Sequence, residues 1–330
     1  MNYRICLIST GGTIGSTLRG GVISVSCKKD EIAQLYAGSN AIEVDVLSPY
    51  NILSENIAPQ NAEELLQCIK SIDCDNFDGI IVTHGTDTLA YTANYLDTML
   101  QNIGKPIVLV SSAFPIEDTR SNASANFTAA VDFICQKKNS GVFVSYKNDG
   151  AEALIHSGSR IMQARQIDGI VDSVWGSYYA KWLKSGDFEY NNCNILSRKA
   201  PKSIALYDKL TGKLNNDIMY IKAFAFMDFD MYVSSITNKH KAIVIELYHS
   251  GTLPTAGFLA FVNKIAHLNI HIILTSASTE EAIYESFSAI ENHSNLIICV
   301  GKSIENTLIK TMLALGSNFT QSEIKEFLED

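Results

Sequence analysis

Short runs that are apolar from end to end alternate along this chain with longer segments whose apolar residues recur at helical spacing. "RICLIS" (4–9), "DGIIVTH" (78–84), "KPIVLVSS" (105–112) and "SGVFVSY" (140–146) are runs of the first kind. "NAEELLQCIKSI" (61–72), "DTLAYTANYLDTMLQNI" (87–103) and "SNASANFTAAVDFICQ" (121–136) are of the second. A strand with one wet face alternates polar and apolar residues, and these runs do not. Both of their faces are therefore expected to be buried, as in a parallel sheet covered by helices on each side. Asn61 is the expected N-cap of the first helix. In such α/β sheets ligands bind beyond the carboxyl ends of the strands.

The rhythm dissolves between Ser185 and Asn216, where polar and turn-forming residues dominate, and then resumes. "KAIVIELYH", "IHIILTSA" and "NLIICVG" read as strands, with helices at 255–268, 279–293 and 304–316. A chain of 330 residues exceeds what one core usually organises. The pattern predicts a larger amino-terminal α/β domain over 1–193, a linker over 194–216 and a smaller α/β domain over 217–330.

The formal charge of −9 argues against nucleic acid or an anionic membrane as partner. Seven cysteines, an odd number with no CxxC, suit neither a disulfide framework nor a zinc site. The first residues are polar too soon for a signal peptide, and no apolar run reaches membrane-spanning length. A reducing cytoplasm is the expected compartment.

Two strands end in hydroxyl-rich turns: Thr10-Gly11-Gly12-Thr13 and Thr83-His84-Gly85-Thr86-Asp87-Thr88. Glycine lets the backbone turn sharply and brings N–H groups close to a ligand, where they can stabilise an oxyanion. A threonine hydroxyl there serves as nucleophile if a base or cation stands near. The structural alternative is that these are ordinary turns and that Asp87 caps the helix it opens. "GGTIG" matches neither GxGxxG nor a P-loop, and no lysine follows it.

"STGGTIGS" together with "VTHGTDTLAYTA" resembles the two signature motifs of the bacterial-type L-asparaginase family, closest to its cytoplasmic type I branch. "NIGKPIVLVSSAFPIEDTRSNASANFTAAV" and "ELYHSGTLP" extend the resemblance over most of the chain. It implies a two-domain asparaginase-like fold, a homodimer or homotetramer, and hydrolysis of the side-chain amide of a small amino acid through a threonine ester, without metal or organic cofactor. By motif, the nucleophile falls on Thr13, beside Gly12. The threonine that helps activate water falls on Thr86, and the aspartate that holds the substrate amino group on Asp87. "SPYNILSENIAP" places Ser54 and Glu55 at the substrate, "SSAFP" places the Ala113 carbonyl at the amide, and Ser250 is a further candidate contact. Glu55 beside Asp87 would make the pocket acidic and favour a cationic amino group.

Two groups of the family pattern are replaced. Its loop tyrosine, in a stretch like "GYIP", aligns with Val22 in "GVIS"; Ser24 and Ser26 are the nearby hydroxyls, and Tyr36 is the next tyrosine. Its triad lysine aligns with Gln163 in "GSRIMQARQIDG", or with Ala164 counting back from Asp168; Arg165 is the nearest cation. His156 stands close by, and His84 lies within the second motif. Three readings stay open: an asparaginase-like amidohydrolase with a rearranged proton relay, an enzyme for another small amide or ester, or a non-catalytic amino-acid binder. A related subunit of transfer-RNA-dependent amidation carries an extra amino-terminal domain, which a first motif at Ser9 argues against.

Overall fold

The computed structural model describes residues 2–19, 22–25, 29–183, 185–191, 203–276, 284, 288, 290, 293 and 296–330. The chain divides into two compact units, Met1–Arg198 and Lys199–Asp330. Of the expected linker, residues 194–202 lie outside the described residues, as does most of the expected helix at 279–293.

The first unit is built on strands β1 (Asn2–Ser9), β4 (Ala41–Leu47), β5 (Gly79–Thr83), β6 (Pro106–Val110), β7 (Gly141–Lys147), β8 (Ala153–Ser157), β9 (Ala180–Trp182) and β10 (Phe188–Tyr190). They form one sheet in the order β10-β9-β8-β7-β6-β5-β1-β4. A hairpin of β2 (Ser16–Arg19) and β3 (Val22–Val25) stands apart from it. The wholly apolar runs became the central strands: every residue of β5 and β6 is buried. These strands pair in parallel from β4 through β1, β5 and β6 to β7. From β7 outward the pairing turns antiparallel, so the sheet is mixed rather than parallel throughout. The antiparallel extension comes from short, partly exposed strands, and β10 falls within the stretch whose pattern dissolves.

Two helix starts differ from expectation. The first long helix spans Pro59–Lys70, with Ala58 at its N-cap. Pro59 is already set to a helical φ, which moves the start ahead of Asn61. Asn61 instead sits at the third helical position and its Oδ1 accepts the Ala58 N–H at 2.9 Å. The helix after the second motif spans Leu89–Met99 with Thr88 at the N-cap, so Asp87 does not cap it.

Between β1 and β5 the topology reverses. The chain leaves β1 for β4 on one side, then recrosses to β5 on the other, with Ser9 paired to Thr83. Connections leaving in opposite directions open a crevice at the strand ends. Both hydroxyl-rich turns begin there.

The second unit holds a four-stranded parallel sheet, β11 (Ile218–Lys222), β12 (Ala242–Glu246), β13 (His271–Ser276) and β14 (Leu296–Val300), in that order. Its core joins Ile243, Ile245 and Leu274 of the sheet to Phe258, Phe261 and Val262 of the helix Thr255–Ile265. The last helix, Gln321–Glu329, opens with a capping box between Thr320 and Glu323. Among the described residues no helix is long and apolar enough to cross a membrane.

Candidate active site

Gly11 and Gly12 take φ of 103° and 74°, a region that excludes most side chains. This lets the turn after β1 lie against the segment around Ile52. Gly12 donates its N–H to Ile52 O at 3.1 Å, and Ile52 donates to Thr10 O at 3.1 Å. The second motif closes from the other side. A Cβ on Gly12 would lie 2.6 Å from Gly85 Cα and still nearer other backbone atoms of His84 and Gly85. A Cβ on Gly85 would in turn overlap the Ser54 side chain. Three stretches far apart in sequence thus meet backbone to backbone. Two hydroxyls sew them together: Thr10 Oγ1 donates to Thr83 O at 2.6 Å, and Thr88 Oγ1 donates to Ser54 O at 3.0 Å.

Thr13 and Thr86 are the residues that follow the touching glycines. Thr13 opens a 3-10 turn, Thr13–Gly15, and is partly exposed. Ser16 Oγ donates to Gly12 O at 2.7 Å and steadies that turn. The Thr86 hydroxyl lies 2.9 Å from Ser111 Oγ and donates to Ser112 O at 3.2 Å. Asn122 Oδ1 accepts the Ala113 N–H at 2.9 Å and so fixes the Ala113 turn. Ser54 is buried, whereas Glu55, Asp87 and Ala113 are exposed. Ser250 belongs to the second unit, where its hydroxyl lies 3.1 Å from Thr252 Oγ1.

Gln163 reaches the second motif: its Nε2 donates to the Asp87 carbonyl at 3.3 Å. The loop that carries it is held at several points. Asn94 Nδ2 donates to Ile161 O at 3.3 Å, Asn148 Nδ2 to Val171 O at 2.9 Å, and Arg160 Nε to Ser177 Oγ at 2.9 Å. Arg165 is turned to Asp168, 2.8 Å away in an exposed pair. The backbone of Val22 pairs with Arg19 in the β2–β3 hairpin; its side chain and Ser26 lie outside the described residues. Tyr36 donates to Asp132 Oδ1 at 2.9 Å. Asp132 also accepts from Asn40 Nδ2 and Trp182 Nε1, which places Tyr36 in a separate structural knot. Burial pushes the Tyr36 phenol up to about 12, so it stays a donor there.

The two histidines of interest are structural. His84 is buried, with Nδ1 2.9 Å from Gly85 O and Nε2 2.9 Å from Thr92 Oγ1. Burial lowers its pKa and keeps it neutral. His156 lies in β8, wholly buried, with Nδ1 2.8 Å from Ser173 Oγ. Burial depresses its pKa from 6.5 to about 4, against a weaker opposing pull from Asp172. The unfolded chain therefore takes up this proton first as the pH falls. The stabilisation is complete above pH 6.5 and is lost as the pH drops towards 4, by roughly 3 kcal/mol in all. Urea unfolding at pH 7 and pH 4.5 should show a much smaller acid loss in His156→Gln than in the wild type. An equal loss in both would assign the acid sensitivity to other groups.

Sequence reasoning passed over Tyr50, Ser111 and Asn122. Tyr50, whose hydroxyl is buried, lines a small crevice together with Thr10, Gly12, Ile52, Ser54, His84 and Gly85. Tyr50 stands inside "SPYNILSENIAP", where only its position among polar residues marks it. Ser111 and Asn122 are signalled only by their place just past a strand end and just ahead of a helix.

The chain is similar to known proteins in sequence and in fold. Residues 4–186 match the family described as "Asparaginase, N-terminal". An L-asparaginase of Bacillus licheniformis is 25% identical over 330 residues, covering 96% of this chain and 95% of that protein. A glutamyl-tRNA(Gln) amidotransferase chain of Saccharolobus islandicus is 32% identical over 250 residues, covering 73% of this chain and 55% of that protein. The solved structure of the thermostable L-asparaginase from Thermococcus kodakarensis has a similar fold, with a TM-score of 0.77 at 22% identity over 99% of this chain and 97% of that one.

Proposed function

The chain belongs to the asparaginase family, and we propose that it hydrolyses the side-chain amide of L-asparagine or a similar small amino-acid amide, with Thr13 as nucleophile. The observation that carries this is the backbone contact between Gly12 and Gly85, which starts Thr13 and Thr86 from one point at the ends of β1 and β5. Thr13 Oγ attacks the amide carbon. The C–N bond breaks, the proton released from the Thr13 hydroxyl ends on the leaving nitrogen, and ammonia departs. Water, aided by Thr86, then cleaves the Thr13 ester to give the acid and restore the hydroxyl. In this reading the oxyanion is met by backbone N–H groups of the two turns other than that of Gly12, which is bonded to Ile52 O. Asp87, exposed at the same edge, receives the substrate amino group, with Glu55 adding negative charge beside it; Ser54 receives the carboxylate end, and the Ala113 carbonyl holds the amide. Ser250 is carried as a further substrate contact. The reading includes a cytoplasmic homodimer or homotetramer.

The expected result is ammonia release from L-asparagine by the purified protein, exceeding that from L-glutamine and D-asparagine. A second reading has one observation in its favour. Gln163 reaches Asp87 with an amide that neither titrates nor carries charge. If all three amides are left intact while L-aspartate or L-asparagine still binds in calorimetry, the chain is an amino-acid binder on this scaffold.

A further inference from the structure

The parallel pairing of β5 with β6 ends at Thr83 and Val110, and His84 N extends it by donating to Val110 O at 2.9 Å. Beyond these strand ends the hydroxyls of Thr86 and Ser111 meet at 2.9 Å. Ser111 is wholly buried, and among the described residues Thr86 is the one hydrogen-bond partner of its hydroxyl. A buried O–H without an acceptor is costly, so the Ser111 proton goes to Thr86 Oγ1. The Ser112 carbonyl, 3.2 Å from Thr86 Oγ1, can only accept and takes the Thr86 proton. The two contacts therefore run in one direction, from Ser111 through Thr86 to Ser112 O.

Both ends of this short chain are pinned to the same residue of β7. At one end Asn126 Nδ2 donates to Ser111 O at 2.8 Å, while its Oδ1 accepts from Lys147 N at 2.7 Å. At the other, Asn122 Oδ1 accepts the Ala113 N–H at 2.9 Å, while its Nδ2 donates to Lys147 O at 2.8 Å. The Ala113 N–H shares a peptide plane with the Ser112 carbonyl, so holding one holds the other. Asn122 and Asn126 stand one turn apart at the start of the helix Ala123–Cys135.

We propose that Ser111 is a positioning residue for Thr86. A threonine hydroxyl has one proton and two acceptor sites. With the proton given to Ser112 O and one acceptor site filled by Ser111, Thr86 meets the attacking water through the other, as an acceptor. The water oxygen bonds to the ester carbon, the bond to Thr13 Oγ breaks, and the water's proton ends on Thr13 Oγ. Gln163 reaches the same motif at the Asp87 carbonyl, so the direction of the Thr86 hydroxyl is set from the end of β6.

This inference rests on the assignment of Thr86 to the activation of water. In Ser111→Ala, cleavage of the Thr13 ester should slow while its formation does not. Ammonia from L-asparagine should appear in a burst near one equivalent per site, followed by a steady state about 10- to 100-fold below wild type, with kcat/KM kept within about threefold. Intact-mass spectrometry of the quenched reaction should find the acyl group retained on the protein. The thermal midpoint should move by no more than about 4 °C, because Thr86 keeps its bond to Ser112 O and no buried donor is left unanswered. In a Thr86→Ala background the same change should alter kcat less than about twofold, since the hydroxyl it acts through is gone. A role in packing alone would lower the midpoint and reduce kcat and kcat/KM together. An active wild type whose Ser111→Ala variant keeps its kcat and retains no acyl group, or loses as much with Thr86 absent as present, overturns this inference and leaves the proposed function standing. A wild type that releases no ammonia from any of the three amides overturns both.

Discussion

Thr13→Ala should fold normally and release ammonia at less than about a thousandth of the wild-type rate. Thr13 sits in a turn set by glycine geometry and by the Ser16 hydrogen bond to Gly12 O, neither of which needs the threonine side chain. The residue is partly exposed, so removing its hydroxyl and methyl should change stability by no more than about 1 kcal/mol. The rate is another matter, because the oxygen removed is the atom that bonds to the substrate carbon. Backbone donors would remain, and they can still bind an oxyanion but cannot form an ester. Ammonia release and thermal unfolding, measured on the same preparation, separate the two effects. A Thr13→Ala protein with near wild-type turnover would remove Thr13 as nucleophile and turn attention to Thr86.

Gly12→Ala should be as damaging for a different reason. The backbone there has φ 74° and ψ −178°, a conformation that side-chain-bearing residues hold only at a cost of about 1–3 kcal/mol. The added methyl would also meet the backbone of His84 and Gly85, which cannot rotate away as a flexible side chain can. Together the two effects should remove about 3–5 kcal/mol of stability and push the two motifs apart. Gly104→Ala separates strain from collision, since Gly104 has a similar φ of 73° but open space around it. That control should lose about 1 kcal/mol and retain full activity. If Gly12→Ala behaves like Gly104→Ala, the contact between the motifs is not what holds the site.

The centre of the first sheet was legible because burial on both faces leaves a plain mark. Gly79–Thr83 and Pro106–Val110 are apolar runs that can be little else. The antiparallel rim was not legible: Phe188–Tyr190 is three residues long, partly exposed and set among polar neighbours. Helix starts were misplaced where a local rule had two candidates, as with Pro59 and Asn61. At the site, the approach of the two glycine turns was suggested by the motif pair, since both follow strands of one sheet, and Ser54 by the resemblance of "SPYNILSENIAP". Ser111 and Asn122 escaped because nothing in their own neighbourhoods is unusual. Their relation to Thr86 exists only in the register between β5, β6 and β7. Gln163 stood out in the sequence as a departure, yet its reach to the Asp87 carbonyl is a matter of how its loop is pinned.

That pinning has a consequence at the level of codons. The loop around position 163 is tied down by Asn94, Asn148 and Arg160, so its course does not depend on the residue that it presents to Asp87. Glutamine and lysine codons differ by a single first base. One transversion therefore places an ammonium beside Asp87 with no rebuilding of the backbone, and the reverse transversion removes it as readily. A lineage with this scaffold can gain or lose a charge at its site through one base change while the backbone around it keeps its course.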